Sequence, residues 1–428
     1  MSRGKKRVFI TAAGVVSCIG NNMAEFYESL SSLKSGIGLL TRADTGGLKT
    51  KIGGQCDIDA LVKELGFDSI YCEYLCEKLN LAGNPKLLFA IHAIGQLAAG
   101  GAFCKIGASQ IKLFTGAGLE EIGVSPLRRL TAAAGGEKEL QMKEIHICAE
   151  PPSAFLGEII SCFFKFGKPS AVVVSACSAA AMAVGEAYKN IAAGALEAAV
   201  AGGTDSTLSA FSINAFNSIG ALTEENDDPA RALKPFDKKR GGTVLGEGAA
   251  YFLIESENCA AASGGVPIAE IIGYGSSMDA YNPVQPDPEG GGASLAMKRA
   301  FAGASLRPGD IDYINAHGTA TLHNDIAETK AVKDAFKGAG GPLAISSTKP
   351  FFGHLLSAAG AIELLSVLYA MQTSVIPPTL NFKQAGAGCD LNYVPGAGLN
   401  KKVRFALKNS FGLNGQNASL ILKAVTGL

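Results

Sequence analysis

One stretch constrains the fold of this chain more than any other: VVVSACSAAAMAVGEA, Val172 to Ala187. Successive branched apolar residues suit a strand. The alanine-rich run behind them suits a helix that passes through a crowded core. Between the two, at a corner, stands a lone cysteine, Cys177.

Short apolar runs alternate with helical patterns along the rest of the chain, the signature of parallel sheets covered by helices. Strands are expected at residues 7–11, 111–115, 171–175, 198–202, 249–255, 311–316 and 343–347. Helices are expected at 23–33, 85–99, 179–193, 294–302, 325–336 and 358–372. A length of 428 residues suits two or three domains, or one large duplicated unit. No Pro/Ser-rich linker divides it; the best divide lies near residue 256, giving halves 1–256 and 257–428. Both halves hold strand-to-loop corners with unusual residues, SAC in the first and NAHGTAT and SSTKPFFGH in the second, which suggests duplication.

Composition excludes several classes. Thirty-eight basic and 38 acidic residues give no general attraction to nucleic acid or to an anionic membrane. No run of 18 apolar residues is uninterrupted, so no membrane span is expected. The ten cysteines are scattered, which fits reduced thiols in a cytoplasmic protein. Only Cys72 and Cys76 are close, and they lack companions for a metal site.

Of the five histidines, His92 lies in an apolar helical pattern and His146 has no evident partner. His317 and His354 both follow strands at corners, as Cys177 does. Such a trio makes chemical sense. A cysteine at a helix N-terminus is expected to have a lowered pKa, and backbone N–H groups at its corner can hold an oxyanion. Two imidazoles nearby can stabilise a second oxyanion, such as a thioester enolate. Lys349, five residues before His354, can orient that site or supply charge.

The segments VSACSAA, KPFDKKRGGTVLGEGA (234–249), NAHGTATLHND (315–325), STKPFFGHLLSAAGAIE (347–363) and NSFGLNGQN (409–417) resemble, in order, those of β-ketoacyl-acyl-carrier-protein synthases. The similarity is to the elongating Cys-His-His type, nearest synthase II. It implies a thiolase-like α/β fold, two similar halves in five αβαβα layers. It implies decarboxylative condensation of an acyl-enzyme with malonyl carrier protein, in fatty acid or polyketide-type elongation. No resident cofactor is implied, since substrates ride on the phosphopantetheine of acyl carrier protein. A homodimer is expected, with the active half of a heterodimer with a related ketosynthase-like subunit as the alternative. A degradative thiolase is a weaker match, because it would carry a second cysteine in the final glycine loop.

By position, the resemblance makes Cys177 the acylated nucleophile and gives His317 and His354 the malonyl thioester, with Lys349 beside them. Thr319 and Thr321 match hydroxyls that hold the pantetheine arm, and Leu119, Phe216 and Leu413 fall along the substrate path. Asp325, Glu328 and Glu363 fall on supporting positions; for the first two, acids favoured by a helix N-terminus are an equal reading. The chain also departs from the family pattern. Leu413 stands in place of a gating aromatic, Ser357 and Gly241 in place of a glycine and an acid, and Glu120 and Glu121 where glycines are usual.

Overall fold

Ten strands join into one mixed sheet in a computed structural model that describes residues 5–64, 84–99, 101–118, 153–339 and 343–425. Leu119, Glu120, Glu121, Cys72, Cys76 and His146 lie outside the described residues. The strands are β1 Val8–Ser17, β2 Lys112–Ala117, β3 Gly167–Val173, β4 Ala198–Asp205, β5 Gly248–Ser256, β6 Ala269–Met278, β7 Tyr313–Asn315, β8 Ala344–Ser346, β9 Phe405–Phe411 and β10 Gln416–Ala424. Their spatial order is β8-β7-β9-β10-β6-β1-β5-β4-β2-β3.

That order is a duplication. From the outer edge inward, the first half runs third, second, fourth, fifth and first strand, and so does the second half. The directions repeat as well: the second strand lies parallel to its neighbours, and the fifth runs antiparallel between the fourth and the first. The halves meet where β1 pairs antiparallel with β6, Val8 opposite Ile271 and Ile10 opposite Ala269. The helix Glu257–Ser263 packs back on β5 and β1, so the second repeat begins at β6.

Helices repeat in the same register: α1 Pro85–Ala99, α2 Ser153–Phe164 and α3 Ala179–Ala192, then α4 Gly291–Ala304, α5 Leu322–Ala335 and α6 Ala359–Thr373. α1 and α2 cover the outer face of the first half, and α4, with α5 against it, covers that of the second. α3 and α6 lie between the halves, touching strands of both and each other, which makes five layers. Small residues allow this. A Cβ on Gly360 of α6 would lie 2.7 Å from the backbone nitrogen of Ala181 in α3. The apolar stretch Leu356–Thr373 is long enough to cross a membrane, but it is 78% buried here as this central helix.

The seven expected strands form with shifted ends, and β1 runs on to Ser17 past a bulge after Ile10. The six expected helices form too. Three strands, β6, β9 and β10, escape the sequence reading. AEIIGYGSSM, FALKNSF and QNASLILKA mix apolar residues with Gly, Lys, Asn and Ser, which lowers strand propensity. Pairing in mid-sheet overrides that preference.

Candidate active site

Two equivalent corners face each other across the central layer. After β3 the chain turns through Ala176–Ser178 into α3; after β8 it passes Lys349–Phe352 and His354 and turns through Leu356–Ala358 into α6. Each turn begins on a non-glycine residue in the left-handed region, Ala176 at φ 47° and Leu356 at φ 44°. Such a residue costs about 1–2 kcal/mol, strain of the kind found at functional sites. The two turns are in contact, and the duplication puts Ser357 where the first half has Cys177. β7 ends at Asn315 and delivers His317 to the same place.

The corners open on a cavity of about 290 Å³. Cys177, His317 and His354 line it together, each under a tenth exposed. Thr319, Thr321, Phe216 and Leu413 line it as well. The two threonine hydroxyls lie 2.9 Å apart, and Thr321 also caps α5 by accepting from Asn324 N–H. Lys349, expected among the catalytic residues, is different: it is fully buried and stands behind the cavity rather than in its wall.

The hydrogen bonds decide the imidazole tautomers. Lys349 Nζ lies 3.3 Å from His317 Nδ1, and its ammonium has only protons to offer. His354 Nδ1 accepts from Leu356 N–H at 3.3 Å. Both rings therefore carry their proton on Nε2, and their centroids are 5.3 Å apart. Burial holds both well below the ordinary histidine pKa, and the Lys349 and Lys408 ammoniums lower them further. The site presents two neutral imidazole donors, the arrangement an enolate oxygen needs.

Several groups hold these rings. His354 donates its backbone N–H to Val244 and accepts from Gly246, so the GGTVLGEG segment braces it from below. Glu328 accepts from His317 N–H at 2.8 Å and Gly318 N–H at 2.7 Å, and burial raises its pKa to about 6. Asp325 accepts from Phe236 N–H and Ala320 N–H at 2.6 and 3.2 Å. Both acids thus anchor loops at the site and do more than favour a helix terminus. Glu363 accepts from Lys349 at 2.5 Å. The sequence reading missed Val244, Lys408 and Phe411, whose ring packs edge-on to His317 with centroids 5.7 Å apart. Val244 and Phe411 lie inside quoted motifs and so carried a local signal, whereas Lys408 lies just outside one.

Cys177 departs from expectation. Its thiol is pushed up to about 12, because complete burial outweighs the Lys349 charge and the Leu413 N–H that favour thiolate, while Asp205 and Glu363 add to the rise. The helix N-terminus does not compensate for lost solvation here. Iodoacetamide inactivation through Cys177 is therefore expected to keep accelerating above pH 9. A plateau by pH 8 would show a preformed thiolate.

Leu413 opens the turn Leu413–Gly415 and lines the cavity, and its N–H is directed at the Cys177 sulfur. A Cβ on Gly412 would sit 3.3 Å from Cys177 N, so glycine lets this loop approach Cys177 closely. The N–H groups of Cys177 and Leu413 can thus serve one oxyanion. Asn414 is exposed, held through its backbone N–H to Pro283, and does not line the cavity. Ser357 donates to Asp205 from both N and Oγ, at 2.9 and 2.5 Å, tying this corner to the end of β4 in the first half. Leu413→Phe should narrow the passage and lower acylation by long donors relative to acetyl about tenfold, the scale for one altered apolar contact. Acylation rates across short, long and unsaturated donors check this, and an unchanged profile would exclude the loop from selectivity.

The family model described as β-ketoacyl synthase, N-terminal domain, matches residues 5–260, and that of the C-terminal domain matches 268–383. The 3-oxoacyl-acyl-carrier-protein synthase 2 of Synechocystis sp. is 32% identical, covering 98% of both chains. That of Coxiella burnetii is 33% identical over 98% of this chain and 99% of its own. Among solved structures, a β-ketoacyl synthase from Burkholderia phymatum is similar with a TM-score of 0.85 and 28% identity, over 98% of this chain and all (100%) of its own. The ishigamide ketosynthase/chain length factor is similar at 0.83 and 27%, over 99% and 100%.

Proposed function

This chain belongs to the β-ketoacyl synthase family and is an acyltransferase of the condensing type, and on that premise we propose that Cys177, His317 and His354 carry out the condensation. The observation that supports this most is the meeting of one thiol and two neutral Nε2–H donors in one cavity. Cys177 Sγ attacks the acyl thioester of a carrier protein's phosphopantetheine. The tetrahedral oxyanion rests on the N–H groups of Cys177 and Leu413, and the carrier thiol leaves with the proton of Cys177.

Malonyl thioester then occupies the cavity, its carbonyl oxygen on the two imidazoles and its pantetheine arm beside Thr319 and Thr321. The bond to the carboxylate breaks, CO2 leaves, and the electron pair enters the enolate held by His317 and His354. The enolate carbon attacks the acyl-Cys177 carbonyl, and collapse of that intermediate releases Cys177. The product is a carrier-bound β-ketoacyl chain longer by two carbons. Phe216 and Leu413 bound the acyl path in this reading, and side chains and backbone of this chain do every step with no resident cofactor. Acyl carrier protein is the partner and the cytoplasm the compartment.

The test is incubation with acyl- and malonyl-carrier protein and mass spectrometry of the carrier-bound products. A two-carbon extension with release of CO2 is expected; acyl transfer without extension would sink the reading. Similarity to a ketosynthase/chain length factor structure favours a second arrangement, in which this chain is the active half of a heterodimer. Extension by the purified chain as a homodimer separates the two. Cys177 is the one cysteine lining the cavity among the described residues, which disfavours a degradative thiolase.

A further inference from the structure

A second buried lysine stands behind the two imidazoles, and the steps above do not use it. Lys408 lies in the middle of β9, opposite Asn315 of β7 and Leu420 of β10, with no solvent exposure. Along this strand Leu407 and Phe411 join the core under α4 and α5, while Ala406 belongs to the core of the central helices. Lys408 points to that central layer, where its Nζ lies 2.7 Å from Glu363 Oε2 of α6 and 3.1 Å from Ser410 Oγ. It also donates to the Asn409 carbonyl.

Glu363 is thereby shared. Its Oε1 takes Lys349 at 2.5 Å, and its Oε2 has no donor among the described residues besides the Lys408 ammonium. Lys349 in turn faces His317 Nδ1 and the His317 carbonyl. Two cations, Lys349 and Lys408, thus stand against two carboxylates, Glu363 and Glu328, directly behind the imidazoles. A buried ion set of this kind contributes little net stability, since an apolar core of equal volume is often as stable. Its retention points to the chemistry in front of it.

We infer that Lys408 is a positioning residue for decarboxylation: by holding Glu363 Oε2 it leaves Lys349 directed at His317 Nδ1, so that His317 presents Nε2–H to the thioester oxygen. Without Lys408 the set carries one uncompensated negative charge, opposed to the malonyl carboxylate and to the enolate. Glu363 would also draw Lys349 away from the ring. The inference rests on the condensing-enzyme reading and deepens it.

The charged groups facing Lys408 are Glu363 of α6, Lys349 of the short helix Lys349–Phe352, and Glu328 of α5. Those facing His317 are Lys349, Lys408 and His354, and those facing His354 are Lys349 and Lys408. The Lys408 charge opposes an imidazolium at either ring, so its removal lets both rings take a proton at higher pH. A protonated His317 Nδ1 can no longer accept from Lys349. The acid limb of decarboxylation therefore moves to higher pH when Lys408 is replaced; Glu328 faces Lys408 as well and moves in the same direction.

The experiment uses the full chain with malonyl-N-acetylcysteamine for CO2 release and hexanoyl-N-acetylcysteamine for mass gain on Cys177. Lys408→Met and Lys408→Gln should each lower the ratio of decarboxylation to acylation about tenfold, the scale of one lost charge-assisted contact. In a Glu363→Gln background the same changes should lower it less, because the shared carboxylate is gone. An unchanged ratio and acid limb, equal loss of both half-reactions, or strict additivity with Glu363→Gln would each overturn the inference. If neither single variant folds, the doubly changed Lys408→Met, Glu363→Gln chain decides, and a tenfold loss of decarboxylation by it relative to Glu363→Gln alone would overturn the inference too. Failure of the wild-type chain itself to release CO2 would instead overturn the condensing-enzyme reading.

Discussion

Cys177→Ala chains form no acyl adduct, and condensation falls by roughly 10⁴ or more, the scale for losing a covalent nucleophile. Cys177 is the one cysteine lining the cavity among the described residues and sits on the strained turn where the acyl carbonyl would meet the N–H groups of Cys177 and Leu413. The change removes one sulfur at a site surrounded by alanines 179 to 181, so the fold should hold at a cost of about 1 kcal/mol. Malonyl decarboxylation should survive, because the imidazoles and their supports are untouched. Intact-mass measurement after an acyl donor, beside CO2 release from malonyl thioester, separates the two steps. An adduct on another cysteine would sink the assignment.

His317→Ala and His354→Ala should each lower decarboxylation by roughly 10²- to 10³-fold, the loss typical of one oxyanion donor. Acylation of Cys177 should fall far less. Both rings carry the proton on Nε2, so neither offers a free nitrogen to the cavity as a base. Equal loss of both half-reactions would mean that an imidazole takes the thiol proton. That outcome has a physical motive, since burial pushes the thiol up to about 12 and some group must receive its proton. In the proposed scheme the leaving carrier thiol receives it.

Local sequence was enough to single out the groups proposed to react. Cysteine and histidine are few here, and their chemistry needs a corner where an apolar strand meets a loop or a small-residue helix, which VVVSAC, INAHGT and the segment around His354 each display. The same patterning identified six helices and seven of the ten strands, because period and composition are properties of neighbouring residues. Local patterning could not supply β6, β9 and β10, whose mixed sequences become strands only when the sheet pairs them on both sides.

Charge and protonation belong to tertiary structure. A helix N-terminus argues for a lowered Cys177 pKa, yet burial by both halves of the duplication moves it upward. Lys349 reads as a catalytic neighbour of His354, yet its ammonium faces His317 and Glu363 behind the wall. Lys408, between Leu407 and Asn409, carries no local signal of its burial, which arises because β9 is flanked by β7 and β10 and covered by α6. The sequence by itself pointed to condensing chemistry and to the three corners that the fold brings to one cavity. Only the tertiary structure decided who carries the protons, because desolvation and Coulomb interactions depend on distances between residues tens to hundreds of positions apart.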